Sequence, residues 1–216
     1  MKSIITKSLP SFLVMLALAA CRSTIITDLM TKPGGILYQD DFSNPTSGWK
    51  HLTGPGGIMD YDGGGYRILI TEPQQNYWST LALDFQNIRI EVDALKYAGP
   101  EENRIGLICR YHDPGNYYFF VISSDGYYAL GKVRDGNISL IGQKEMLRSE
   151  AIILGLTINH LRADCIDNSL MFYVNDHPVA IAQDTDFAKG EVGLLAGSFD
   201  QSGVDVVFDN FLVIKP

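Results

Sequence analysis

Two carboxylates stand two residues apart in the most regular stretch of the chain, Ile88-Arg89-Ile90-Glu91-Val92-Asp93-Ala94. Strict alternation predicts a half-buried strand with Ile88, Ile90, Val92 and Ala94 inward, so Glu91 and Asp93 share the outward face. Paired carboxyl groups suit glycoside hydrolysis, and the retaining mechanism sets them roughly 5 Å apart. A second chemistry-bearing set is aromatic. Tyr111, Tyr117, Tyr118, Phe119, Phe120, Tyr127 and Tyr128 fall on three successive strand-like runs, with Tyr77 and Trp78 upstream. The expected outward register takes Arg110 and His112 from the first run, Tyr118 and Phe120 or their neighbours from the second, and Tyr128 with Lys132 from the third. Arg162 and Asp164 join that face from a strand near Cys165. Rings stack on the C–H faces of sugars while charged groups bond hydroxyls, so the set predicts a glycan-binding face. The competing reading is structural: sandwiches bury many Tyr and Phe, and Arg–Asp pairs brace neighbouring strands.

Other chemistries find little support. His51, His112, His160 and His177 lack zinc-ligand spacing, no Gly-x-Ser-x-Gly elbow is present, and Gly63-Gly64-Gly65 is not followed by a helix. Asp40, Asp41 and Asp209 lie in the first and last strands, which are commonly neighbours in sandwiches. Carboxylates converging there would suit calcium, unless Asp209 caps a turn or pairs with Arg. The formal net charge is −8, and no basic run offers a footprint for phosphate backbones, which argues against nucleic acid as a partner.

Lys2 and Lys7, the short apolar run at residues 12–18 and Leu18-Ala19-Ala20-Cys21 resemble a bacterial lipoprotein signal. The resemblance implies lipidation of Cys21 after removal of residues 1–20, and an extracytoplasmic, membrane-anchored protein at the cell surface or in the periplasm. An ordinary secretory signal is the alternative. Residues 21–35 read as a tether and residues 36–216 as one domain. Cys109 and Cys165 remain as a pair. Each shares a strand face with apolar neighbours, so they form either a disulfide across the core or two buried free thiols.

From Ile36 onward short strand-like runs alternate with turn signals such as Asp113-Pro114-Gly115-Asn116, Asp135-Gly136 and Asn175-Asp176. Runs are expected at 66–71, 88–94, 105–111, 117–123, 127–133, 138–142, 157–167, 170–174, 179–182, 192–196 and 204–214. Only 148–154 and 184–188 offer a helical turn. The pattern predicts an all-β protein, either two stacked antiparallel sheets or a closed barrel.

Asp40-Asp41-Phe42-Ser43, Ser47-Gly48-Trp49, Gly65-Tyr66-Arg67-Ile68, Gly190-Glu191-Val192-Gly193-Leu194 and Val207-Phe208-Asp209-Asn210-Phe211 resemble concanavalin A-like jelly-roll domains of bacterial secreted proteins. The resemblance implies a two-sheet jelly roll, a structural calcium near the closing motif, and a poly- or oligosaccharide partner on a concave sheet. Glucanases of that group carry E-x-D-x-x-E or E-x-D-x-E on one strand. Here Lys96 or Leu95 takes the place of the last Glu, and neither can act as a carboxylic acid. A non-catalytic glycan-binding domain is therefore expected. A glycoside hydrolase of the glucanase or 3-keto-disaccharide type, or a protein-interaction module of the envelope, stays open, as does the oligomeric state.

Overall fold

Alternation of apolar and polar residues resolves into sixteen strands in the computed structural model, which describes residues 32–216. The leader expected over residues 1–20 and the lipidation expected at Cys21 lie outside the described residues. The first strands are β1 (Ile36–Asp40), β2 (Leu52–Gly54), β3 (Gly57–Asp62), β4 (Gly65–Ile70), β5 (Asn76–Phe85) and β6 (Ile88–Ala98). β7 (Asn103–Asp113), β8 (Asn116–Ile122), β9 (Tyr127–Arg134), β10 (Asn137–Leu140) and β11 (Leu147–Arg148) follow. The chain closes with β12 (Ile158–Ile166), β13 (Ser169–Val174), β14 (His177–Gln183), β15 (Gly190–Ser198) and β16 (Val204–Ile214).

They form two antiparallel sheets stacked as a sandwich. The nine-stranded sheet runs β14-β13-β12-β6-β16-β4-β3-β2, with β1 also on β16. The seven-stranded sheet runs β10-β9-β8-β7-β15-β5, with β11 also on β9. Ile90, Val92, Leu161, Phe172 and Phe208 from one sheet meet Leu107, Phe120, Leu130 and Leu194 from the other in a single buried core. The expected neighbouring of first and last strands holds, with Asp40 opposite Phe211. The Gly34 and Gly35 backbones exchange hydrogen bonds with Lys215, so the part tied to the sandwich begins ahead of Ile36.

Cys109 on β7 and Cys165 on β12 form a disulfide across the core, with Cα atoms 6.9 Å apart and a sequence separation of 56. On the chain-entropy account a loop of that length is worth roughly 4 kcal/mol. No helical turn forms at 148–154 or 184–188. Those segments instead close the sandwich ends, where Ile152 and Phe187 plug the core.

Candidate functional site

Strands β6 and β12 pair antiparallel at the middle of the larger sheet, and their outward side chains match charge against charge. Arg89 stands opposite Asp164, Glu91 opposite Arg162, and Asp93 opposite His160. Opposite charges directly across a ladder stabilise the pairing, which is the local reason for the order of these residues. Arg162 grips Asp164 with both edges of its fork, Nε at 2.8 Å and Nη2 at 2.5 Å. That bond raises the Arg162 pKa above its ordinary value. Arg89 reaches the same carboxylate at 3.3 Å, leaving Asp164 only 2% exposed. The Arg162 guanidinium also lies over the Tyr173 ring at 4.2 Å.

At the other end of this ladder one imidazole links two acids: His160 Nδ1 is 2.8 Å from Asp93, and Nε2 is 3.9 Å from Glu91. Asn210 donates to the second oxygen of Asp93 at 2.9 Å. Asn210 reaches it because β16 bulges between Asp209 and Leu212, and Asn210 itself adopts φ 54°. Beside this junction opens a recess of about 200 Å³, lined by Asp62, Asp93, Asp209 and Asn210 together with Leu95, Ile158 and Val207. The Gly63-Gly64-Gly65 turn forms its rim. A Cβ on Gly65 would lie 2.5 Å from Val207 Cγ1, so the turn approaches the sheet only because that residue is glycine.

Thus Glu91, Asp93, Arg162 and Asp164 are brought together on one outward face, as expected. The remaining expected contributors are elsewhere. Tyr118 and Phe120 are fully buried between the sheets, and the outward positions of β8 belong to Tyr117 and Phe119. The reason is the disulfide strand: Cys109 points inward and pairs directly with Tyr118, and directly opposed residues share a face. Register then carries the inward direction to β9, where Lys132 opposes Tyr118 and Tyr128 opposes Ile122. Tyr128 packs on the core.

Lys132 caps the core's rim, bonding Asp184 at 2.5 Å and Asp186 at 2.6 Å, while the Tyr118 hydroxyl donates to Asp184 at 2.6 Å. Burial lowers the Lys132 pKa, but the two carboxylates outweigh it and leave it raised. Burial would raise Asp184, yet the bonds from Lys132 and Tyr118 hold it below the usual carboxylate value. Arg110, expected outward, sits at φ 52° in a bulge that turns it inward, 1% exposed, where it donates to the Phe187 and Gln86 carbonyls. Burial lowers its pKa. His112 remains exposed, its ring 5.5 Å from Phe187 and on none of these surfaces.

The acids expected to hold calcium are divided. Asp209 lines the recess, whereas Asp40 and Asp41 line a separate pocket with Asn44, Ser47 and Asn210. Asp40 accepts bonds from the Phe42 amide and the Trp49 indole, each at 2.9 Å, and from Tyr38 and Ser47. Burial and then the Asp40 charge push the Tyr38 pKa up to about 12. A cation at Asp40 would have to displace these donors. Asp41 accepts both bonds from Ser43, which lower its pKa. Among the described residues no three His, Cys, Asp or Glu converge in a way that could hold a metal ion.

Sequence reasoning missed Arg89, His160 and Asn210. Reading Arg-x-Glu-x-Asp on β6 antiparallel to His-x-Arg-x-Asp on β12 would have found the first two by charge complementarity. The bulge that presents Asn210 carries no comparable signal.

Two antiparallel sheets of this topology, with the first strand paired to the last, form a concanavalin A-like jelly-roll sandwich. Among solved structures the chain is similar to the carbohydrate binding module CBM66 from Bacillus subtilis, at TM-score 0.63 and 18% identity over 78% of this chain and 96% of that one. It is also similar to a Bacillus subtilis protein of unknown function with a galectin-like fold, at TM-score 0.62 and 13% identity over 85% and 97%. The GH43 BlXynB protein from Bacillus licheniformis matches at TM-score 0.59 and 17% identity, with 82% of this chain covering 39% of that one. No protein-family model matches the chain, and no curated protein matches it. At these identities the likeness is one of fold.

Proposed function

We propose that the domain is a non-catalytic glycan-binding module that seats neutral or amine-bearing sugar rings in the Asp93–Asn210 recess and runs the rest of the chain along the β6–β12 ladder. The observation that carries this reading is a small recess lined by carboxylates and an amide together with apolar side chains. The polar groups accept from and donate to hydroxyls, and the apolar side chains meet a C–H face. Three carboxylates around it disfavour uronates. The solved carbohydrate binding module of the same fold supports the reading. Lys96, at the place of the last Glu in the glucanase pattern, is 2% exposed and pairs with Glu101 at 3.4 Å, so it adds no acid to the face. We also place the protein outside the cytoplasm, lipid-anchored through Cys21. The Cys109–Cys165 bridge supports that address, since such bonds persist in oxidising compartments.

Titration calorimetry with neutral, amino and uronic oligosaccharides tests the reading. A neutral or amino glycan is expected to bind, with Asp93→Ala weakening it roughly tenfold or more by removing charge-assisted bonds. Silence from the wild-type protein toward both classes, or equal binding by the variant, would overturn it. Glycoside hydrolysis is the second reading, favoured by the single imidazole between Glu91 and Asp93. Sugar release abolished by Glu91→Gln would establish that one instead.

A further inference from the structure

The outer face of the seven-stranded sheet carries a groove that glycan binding does not use. Tyr117, Phe119, Val121 and Leu195 form its floor as part of a small apolar cluster separate from the main core. Gly131 leaves room for the Phe119 ring, since a Cβ there would meet its Cζ at 2.3 Å. β10 and β11 both pair with β9, and Leu140 at the end of β10 and Met146 just ahead of β11 join the lining. The groove holds about 230 Å³. That lies between the roughly 150 Å³ that admits benzene and the roughly 300 Å³ at which drug-sized pockets begin.

One charge stands in this apolar setting. Arg104 lines the groove with its guanidinium 3.7 Å above the Phe199 ring. Nη1 is held by Asn76 at 3.2 Å and by the Ser198 carbonyl at 3.0 Å. Among the described residues no carboxylate pairs with it, and Nε and Nη2 meet no protein acceptor. Burial lowers its pKa, with no acid to offset the effect. Guanidinium nonetheless stays charged in proteins. Glu102 and Asp125 line a separate, neighbouring pocket that shares Met146 and Phe199 with this one. A partly desolvated cation that lines an apolar groove, fixed at Nη1 by two neutral acceptors and over a ring, is the complement of an anion carrying an apolar body.

We propose that this groove binds a small hydrophobic carboxylate, its aryl or medium-length alkyl body lying on Tyr117, Phe119 and Met146 and its carboxylate on the Arg104 guanidinium. The site lies on the sheet opposite the recess and stands independently of the glycan reading.

Intrinsic fluorescence reads it directly. Trp78 packs against Tyr117 with ring centroids 6.1 Å apart, whereas Trp49 is 2% exposed in the core. Phenylacetate and octanoate are expected to change the emission saturably, with the signal absent in Trp78→Phe, and to bind roughly tenfold or more tighter than phenylacetamide and octanamide. Arg104→Met should erase the preference for acid over amide, while Asp93→Ala leaves it intact. Equal affinity of the wild-type protein for acid and amide overturns the proposal, as does no saturable response. So does a preference that survives Arg104→Met.

Discussion

On the outer face of the nine-stranded sheet every guanidinium has a carboxylate within 4 Å: Arg67 has Asp62 and Asp205, Arg89 has Glu91 and Asp164, and Arg162 has Asp164. On the outer face of the seven-stranded sheet Arg104 has only neutral acceptors and a ring. Both faces are made by the same alternation of strand residues, so the contrast comes from what lies opposite in register. β6 and β12 present complementary charges to each other, whereas Arg104 lies opposite Gly197 of β15. A face whose charges are internally matched offers hydroxyl-bonding groups of both signs. A face with one unmatched cation selects for sign.

The largest way to break this contrast is to release the two sheets from each other. Cys109→Ala with Cys165→Ala removes a bridge worth roughly 4 kcal/mol and should lower Tm by roughly 8–16 °C. Calorimetry that finds a drop of only a degree or two would show that the sheets hold together without it. The next effect compares the faces themselves. Asp164→Asn strips Arg89 and Arg162 of their shared partner and should cost about 2–3 kcal/mol in urea denaturation, less than a fully buried pair because both guanidinium groups keep some solvent. Arg104→Met should cost less, about 1 kcal/mol, since two hydrogen bonds to neutral acceptors and a ring contact are lost but no ion pair is broken. Equal costs would erase the distinction between matched and unmatched charge.

The smallest effect lies at the rim, where Lys132 and Asp184 meet. Asp184 is held below the usual carboxylate value, so its contribution is present above about pH 4 and is lost as pH falls through its lowered folded value. Lys132 is raised, so its contribution is present below about pH 10.4 and is lost as pH climbs through the folded value. Lys132→Met should therefore cost about 1 kcal/mol at pH 7 and progressively less as pH falls below 4. A cost that stays constant down to pH 3 would assign the loss to packing of the lysine stem.

Much of the sandwich could be read from alternation, because strands such as β6 bury one face and solvate the other. β5 escaped because it lacks that contrast: Trp78 on its outer side packs against Tyr117 instead of meeting solvent. The ladder residues Glu91, Asp93, Arg162 and Asp164 were legible for the same reason that β6 was. Tyr118 and Phe120 point inward, against the outward register expected of them, even though the same alternation turns Cys109 inward. Combining that direction with the Cys109–Tyr118 pairing would have reversed them, but a pairing register is a long-range property. The left-handed bulge residue Arg110 was invisible, since nothing local announces its positive φ, and Asn210 carries only the general tolerance of Asn for that region. Those two positions decide, respectively, that one cation is buried and that the recess has its amide.

Because Gly34 and Gly35 are bonded to Lys215, and Ile214 lies beside Arg89, the backbone meets the sandwich and departs from it at one corner. That corner is four residues of β6 from Asp93, about 13 Å at the usual strand rise. A support joined to the chain at residue 32 or at residue 216 would meet the domain at this single corner, with the Asp93 recess at the far end of the ladder from it.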